Sequence, residues 1–141
     1  MLPDNAGVIH ADAHERGLKE FIKHWGDRGI APGDAGPVFD FLQLPNEAWT
    51  QRIAADDKNR LRLHVNSGLL VYYFCHLDGD GKGARFLRFM DQIANARDAD
   101  IPPGARSSYG ASQMEILLDG RNNEEMQKAV VEGFRKIGVQ W

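Results

Sequence analysis

One stretch constrains this chain more than any other: Lys58 to Leu77, KNRLRLHVNSGLLVYYFCHL, in which Gly68 to Cys75 is an unbroken apolar run. A run of that length is too short to span a bilayer and too continuous for a helix lying on a surface. It predicts a central helix over 58–77, amphipathic in its first half and covered on all sides in its second. The remaining segments must then supply the cover.

The rest of the sequence reads as helices of that kind. Leu18, Phe21, Ile22 and Trp25 fall at i, i+3, i+4 and i+7, which predicts a first helix over 11–25. Gly26, Gly29, Pro32, Gly33, Gly36 and Pro37 stop it. Val38 to Leu44 is either a short apolar turn of helix or an extended segment. Pro45 suits the first turn of a helix reaching Ala55 that presents Ala48, Trp49 and Ile53. After the polar connector Asp78-Gly79-Asp80-Gly81-Lys82-Gly83, a helix over 83–96 carries Phe86, Leu87, Met90 and Ile93 on one side. So short a link predicts an antiparallel hairpin with the central helix. Arg97 to Ser108 reads as a loop, and Tyr109 to Leu118 as another helix. Asn122 with Glu125 three residues on predicts a capping box opening a last helix through Met126, Ala129, Val130, Phe134 and Ile137. No strand-like alternation is present. The expected fold class is all-α, a single-domain bundle of about six helices over 1–141. An N-terminal helix and Gly/Pro loop occupy 1–37, and a helical core 38–141.

Composition narrows the function classes. With 141 residues, 43% hydrophobic and 26% charged, the chain can bury a core of its own. A formal charge of −3 gives no basis for a nucleic acid or an anionic membrane as partner. The lone Cys75 excludes an intramolecular disulfide and reads as a buried thiol. The first fifteen residues lack a basic stretch followed by an apolar one, so they do not read as a signal peptide.

No catalytic constellation is complete. Asp78, Asp80 and Gly83 imitate the start of a calcium loop, but Lys82 stands at the fifth position and Phe89 at the twelfth. A solvated connector is the expectation there. His10 and His14 stand four apart, as zinc ligands on one helix face do. Ala11 and Ala13 occupy the positions where a metallopeptidase motif needs its Glu, so exposed polar residues are expected and no metal or cofactor is assigned. Ser67 lacks a nucleophile elbow, and Cys75 and His76 are neighbours that point about 100° apart on a helix. His76 suits the negative end of the helix dipole. His64, one turn before Ser67-Gly68 where another backbone could approach, reads as a half-buried structural histidine.

The segment His64-Val65-Asn66-Ser67-Gly68-Leu69-Leu70-Val71-Tyr72-Tyr73-Phe74 resembles the Tyr-x-x-Ser/Gly-x-x-Leu-Leu-x-x-Leu helix downstream of the zinc site in gluzincin metallopeptidases, most of all their peptidase-MA-like branch. The order of flanking elements agrees: Val38-Phe39-Asp40-Phe41-Leu42 and Asn46-Glu47-Ala48-Trp49 before it, then Phe86-Leu87, Leu117-Leu118-Asp119-Gly120 and a closing helix with Phe134. The resemblance covers roughly Val38 to Ile137 and rests on loose hydrophobic motifs. It implies the C-terminal helical portion of such a protein, without the His-Glu-x-x-His helix and the third-ligand Glu that lie upstream. In aminopeptidase-like members the Tyr opening this motif stabilises the oxyanion. Here His64 occupies that position.

Two functions are therefore expected from different classes. One is a non-catalytic helical subdomain of a gluzincin-like metallopeptidase that walls the cleft, takes no zinc, and exposes an apolar face where a missing N-terminal catalytic part docks or a homodimer forms. Family relatives are often exported. The other is a stand-alone helical interaction or scaffold module whose apolar surface is internal. A third reading, a small enzyme using His64 with nearby acids, needs a pocket at that histidine.

Overall fold

The computed structural model describes residues 2–43, 46–95 and 109–141, with side chains described outside 2–13, 41, 46 and 109–113. Seven helices follow in order: α1 (Leu2–Gly26), α2 (Val38–Leu42), α3 (Asn46–Ala55), α4 (Asp57–His76), α5 (Ala84–Ala94), α6 (Tyr109–Leu118) and α7 (Asn123–Arg135). No strand occurs among the described residues, and the fold class is all-α. The expected helix start at Pro45 and the loop at 97–108 lie outside the described residues. α1 begins at Leu2, well before the expected Ala11; Pro3 is no obstacle, because a first-turn proline lacks only an amide that has no helical partner anyway. Val38–Leu42 resolves as helix, which settles the alternative left open by its sequence.

α4 is the spine. The Asp56 side chain accepts a hydrogen bond from the Asn59 amide and so caps its start. At the other end the Leu77 and Asp78 amides both donate to the Tyr73 carbonyl, at 2.8 and 2.9 Å. The buried residues are Leu63, Val65, Asn66, Leu69, Leu70, Tyr73 and Phe74. The apolar run is therefore not covered on all sides: Gly68 is exposed and Val71 is 47% exposed. At 3.6 residues per turn an eight-residue run must circle the helix. Neighbours close only the side holding Leu69, Leu70, Tyr73 and Phe74.

α7 supplies the tightest of that cover. The expected capping box is present, with the Asn122 side chain accepting from the Glu125 amide at 2.9 Å and the Glu125 carboxylate accepting from the Asn122 amide at 3.2 Å. Met126, Val130 and Phe134 are each 0% exposed. Gly133 lies against α4: a Cβ there would stand 2.9 Å from Cε2 of the buried Tyr73 ring. The close approach anticipated at Gly68 is made by a side chain instead, since a Cβ at Gly68 would meet Phe21 of α1 only at 4.0 Å.

α3 packs on α4, α2 on α7, and α5 chiefly on α6. α5 turns Phe86 and Phe89 toward the core yet holds no fully buried residue. Its Leu87 is 62% and its Met90 46% exposed. Among the described residues no helix is long and apolar enough to cross a membrane.

Candidate functional site

The polar residues most buried in the fold are Asn66 and Asp78, both on or just past α4. Asp78 follows the α4 C-cap, and the Gly81 amide donates to its carbonyl at 3.0 Å, so the chain turns and points the carboxylate inward. Its Oδ1 accepts from Arg85 at 2.8 Å, Arg121 at 3.1 Å and the Tyr73 hydroxyl at 3.3 Å. Arg85 also donates through Nε to Asp119 at 2.9 Å, and Arg121 donates to the Leu117 and Leu118 carbonyls that end α6. Burial first, and then the Asp78 charge, pushes the Tyr73 phenol up. The Arg85 bond holds the exposed Asp119 carboxyl below its usual range. The connector is thus solvated at Asp80 and Lys82 but not at its first residue. A cation entering beside Asp78 would meet two guanidinium groups, so the calcium-like spacing serves an internal ion cluster.

Asn66 does the corresponding work for the loop after α1. Its Oδ1 accepts from the Gly33 amide at 2.6 Å. Its Nδ2 donates to the Arg62 carbonyl and Asp34 Oδ1, both at 2.9 Å, and more weakly to the Ala31 carbonyl at 3.4 Å. Gly33 is left-handed, with φ of +85°, and a Cβ there would stand 3.0 Å from Nε1 of Trp141. The loop is clamped between α4 and the C-terminal tail. No sequence pattern announced either role; the one available signal was a polar Asn inside the buried stripe of a helix.

The histidines come out differently from their expectations. His64 is exposed rather than half-buried, because positions 63, 65 and 66 take the inward side of α4. None of the three surface hollows of about 420, 500 and 550 Å³ has His64 in its wall. His10 lies in α1, but its side chain is outside the described residues. His14 is exposed and faces another histidine, with its ring centre 5.0 Å from that of His76. Tyr72 lies on His76 at 4.7 Å between ring centres. Partial shielding, and then the neighbouring His14, lowers the His76 pKa below 6.5. Cys75 is half-buried and its thiol is pushed up by burial, which disfavours the thiolate. Among the described residues no three His, Cys, Asp or Glu side chains gather as a metal-ligating group.

A feature absent from the sequence reading is a surface groove. α2 and α7 are tied by the Val38 amide, which donates to Gln127 Oε1 at 2.9 Å. Beside that tie lies a hollow of about 550 Å³ with Pro37, Phe39 and Val131 among its walls and Asp40, Glu124 and Lys128 at its edges. A second hollow of about 420 Å³ continues past Val131 to Arg135, Gly138 and Trp141. Both share Val131, so Glu124, Lys128, Val131 and Arg135 form one i, i+4, i+7, i+11 line along α7. The clue in the sequence was Val131 itself, an apolar residue off the buried stripe of α7.

No family model matches the chain, and neither a curated protein nor a solved structure matches it.

Proposed function

We propose that this chain is a non-catalytic helical binding module that takes a segment of another protein along α7. The carrying observation is the pair of hollows joined at Val131, the first apolar at Pro37, Phe39 and Val131 and the second more polar, with Asp40, Glu124, Lys128 and Arg135 among their walls. Recognition in such a groove relies on a few apolar anchors at helical or extended spacing. Two further features favour binding over catalysis. Asp78 and Asn66 spend their hydrogen-bonding capacity inside the fold, and His64 stands alone on the surface. The test is selection from a random peptide display library on the folded chain and on its Val131→Glu variant. Enrichment of apolar peptides that the variant no longer binds supports the reading. Equal binding by both, with matching circular dichroism, overturns it.

A second reading, the non-catalytic helical subdomain of a gluzincin-like metallopeptidase, is favoured by Leu87 and Met90. They stand three apart on α5 and remain largely exposed, as a face awaiting cover would. On this reading the exposed His64 looks toward a cleft completed by an N-terminal catalytic part. The genomic sequence upstream of Met1 decides it: an in-frame His-Glu-x-x-His sustains it, and a stop codon just upstream removes it. Sedimentation of the isolated chain adds a separate check, since that face would drive a homodimer that Leu87→Ser with Met90→Ser dissolves.

A further inference from the structure

α1 and α4 bring together two imidazoles far apart in sequence, and neither the groove nor the ion cluster uses them. The His14 and His76 ring centres are 5.0 Å apart with planes tilted by 30°. Two histidines that share one tetrahedral zinc, each bonded at about 2.0 Å, place their ring centres about 3 Å from the metal and therefore about 5 Å from each other. The observed separation of 5.0 Å admits one metal ion between the two rings. Both residues are exposed, which leaves room for water to complete the coordination. Tyr72 packs on the His76 ring and fixes its place.

We propose that His14 and His76 form a two-histidine site for a borderline divalent transition metal, zinc(II) above all, that clamps α1 to the C-terminal end of α4. The site departs from the expectation that the chain takes no metal, and it is independent of the binding function proposed above. With two protein ligands it binds more weakly than a four-ligand structural site, and its role is to hold two helices together.

The test is a calorimetric titration of zinc chloride into the untagged full chain in a non-chelating buffer, together with melting temperature at saturation. One zinc per chain and a raised melting temperature are expected, with binding that weakens as pH falls below 6.5. His14→Ala and His76→Ala should each weaken binding at least tenfold, whereas His24→Ala leaves it unchanged. Both substituted positions are exposed, so the variants should fold; His14→Gln serves if His14→Ala fails by circular dichroism. Absence of saturable binding up to about millimolar zinc overturns the proposal, as does binding that survives either substitution in a folded chain.

Discussion

α4 is fastened near its middle by a neutral amide and at its end by a charged cluster, and the two fastenings are built on opposite principles. Asn66 reads backbone: it takes one amide and gives to two carbonyls, with Asp34 its only charged partner. Asp78 reads side chains, joining Tyr73, Arg85 and Arg121 from three parts of the chain. The first holds a glycine-rich loop that sends a single large side chain, Ile30, into the core. The second gathers the ends of α4 and α6 with the starts of α5 and α7, where apolar packing is already present. A buried amide needs no counter-ion and tolerates no change of charge. A buried carboxylate needs its arginines and, once they are present, organises several elements together.

The largest expected effect comes from removing the charge. Asp78→Ala leaves Arg121, whose side chain is 16% exposed, without its partner, and should lower stability by about 3 kcal/mol. Asp78→Asn, which keeps acceptors, should cost less; urea denaturation of both variants measures the difference, and equal losses would show that the charge is immaterial. At the neutral fastening the order reverses. Asn66→Ala should cost about 2 kcal/mol and speed hydrogen exchange at the Gly33 amide, since that donor loses its acceptor. Asn66→Asp should be worse, because it sets a carboxylate against Asp34.

Gly133→Ala tests whether packing rather than polar bonding limits the α4–α7 contact. Alanine gains about 1 kcal/mol in helix propensity, but its Cβ would meet a buried ring that cannot swing away, at about 1–3 kcal/mol for overpacking. A net loss of about 1 kcal/mol in thermal melts is expected, and a gain would mean that α7 slides freely. The smallest effect is that of pH, outside both fastenings. The folded-state pKa of His76 lies below 6.5, so the unfolded chain takes up its proton first as pH falls. That contribution is present above pH 6.5 and lost as pH drops through the lower folded value. Melting temperature followed from about pH 7.5 to about pH 5 should fall slightly in the parent and less in His76→Asn.

The helices were legible because their signals are local. The α7 capping box and the stripes of α1, α5 and α7 stand in neighbouring residues, and the structure places α5 and α7 where the pattern predicts, while α1 ends as expected but starts nine residues earlier. The sidedness of α4 was not, since eight apolar residues in a row carry no mark of which ones a neighbour will cover. His64 was misjudged for the same reason. The spacing that suggested calcium at Asp78 contained a true feature, a buried acid, but its partner Arg121 lies 43 residues away and no local pattern links them. The His14–His76 contact and the α2–α7 groove likewise join distant segments, which only folding brings into register.

Tyr73 belongs to two arrangements at once. Its ring edge meets Gly133, and its hydroxyl donates to Asp78. A smaller residue at 73 would make room for a side chain at 133 but would strip the carboxylate of a donor. Phenylalanine would keep the crowding and lose the donor as well. Size at one helix crossing and charge balance at the neighbouring turn therefore cannot be tuned separately. Combined substitutions at 73, 78 and 133 should depart from the sum of their single effects, so that this corner of the molecule changes as a set or not at all.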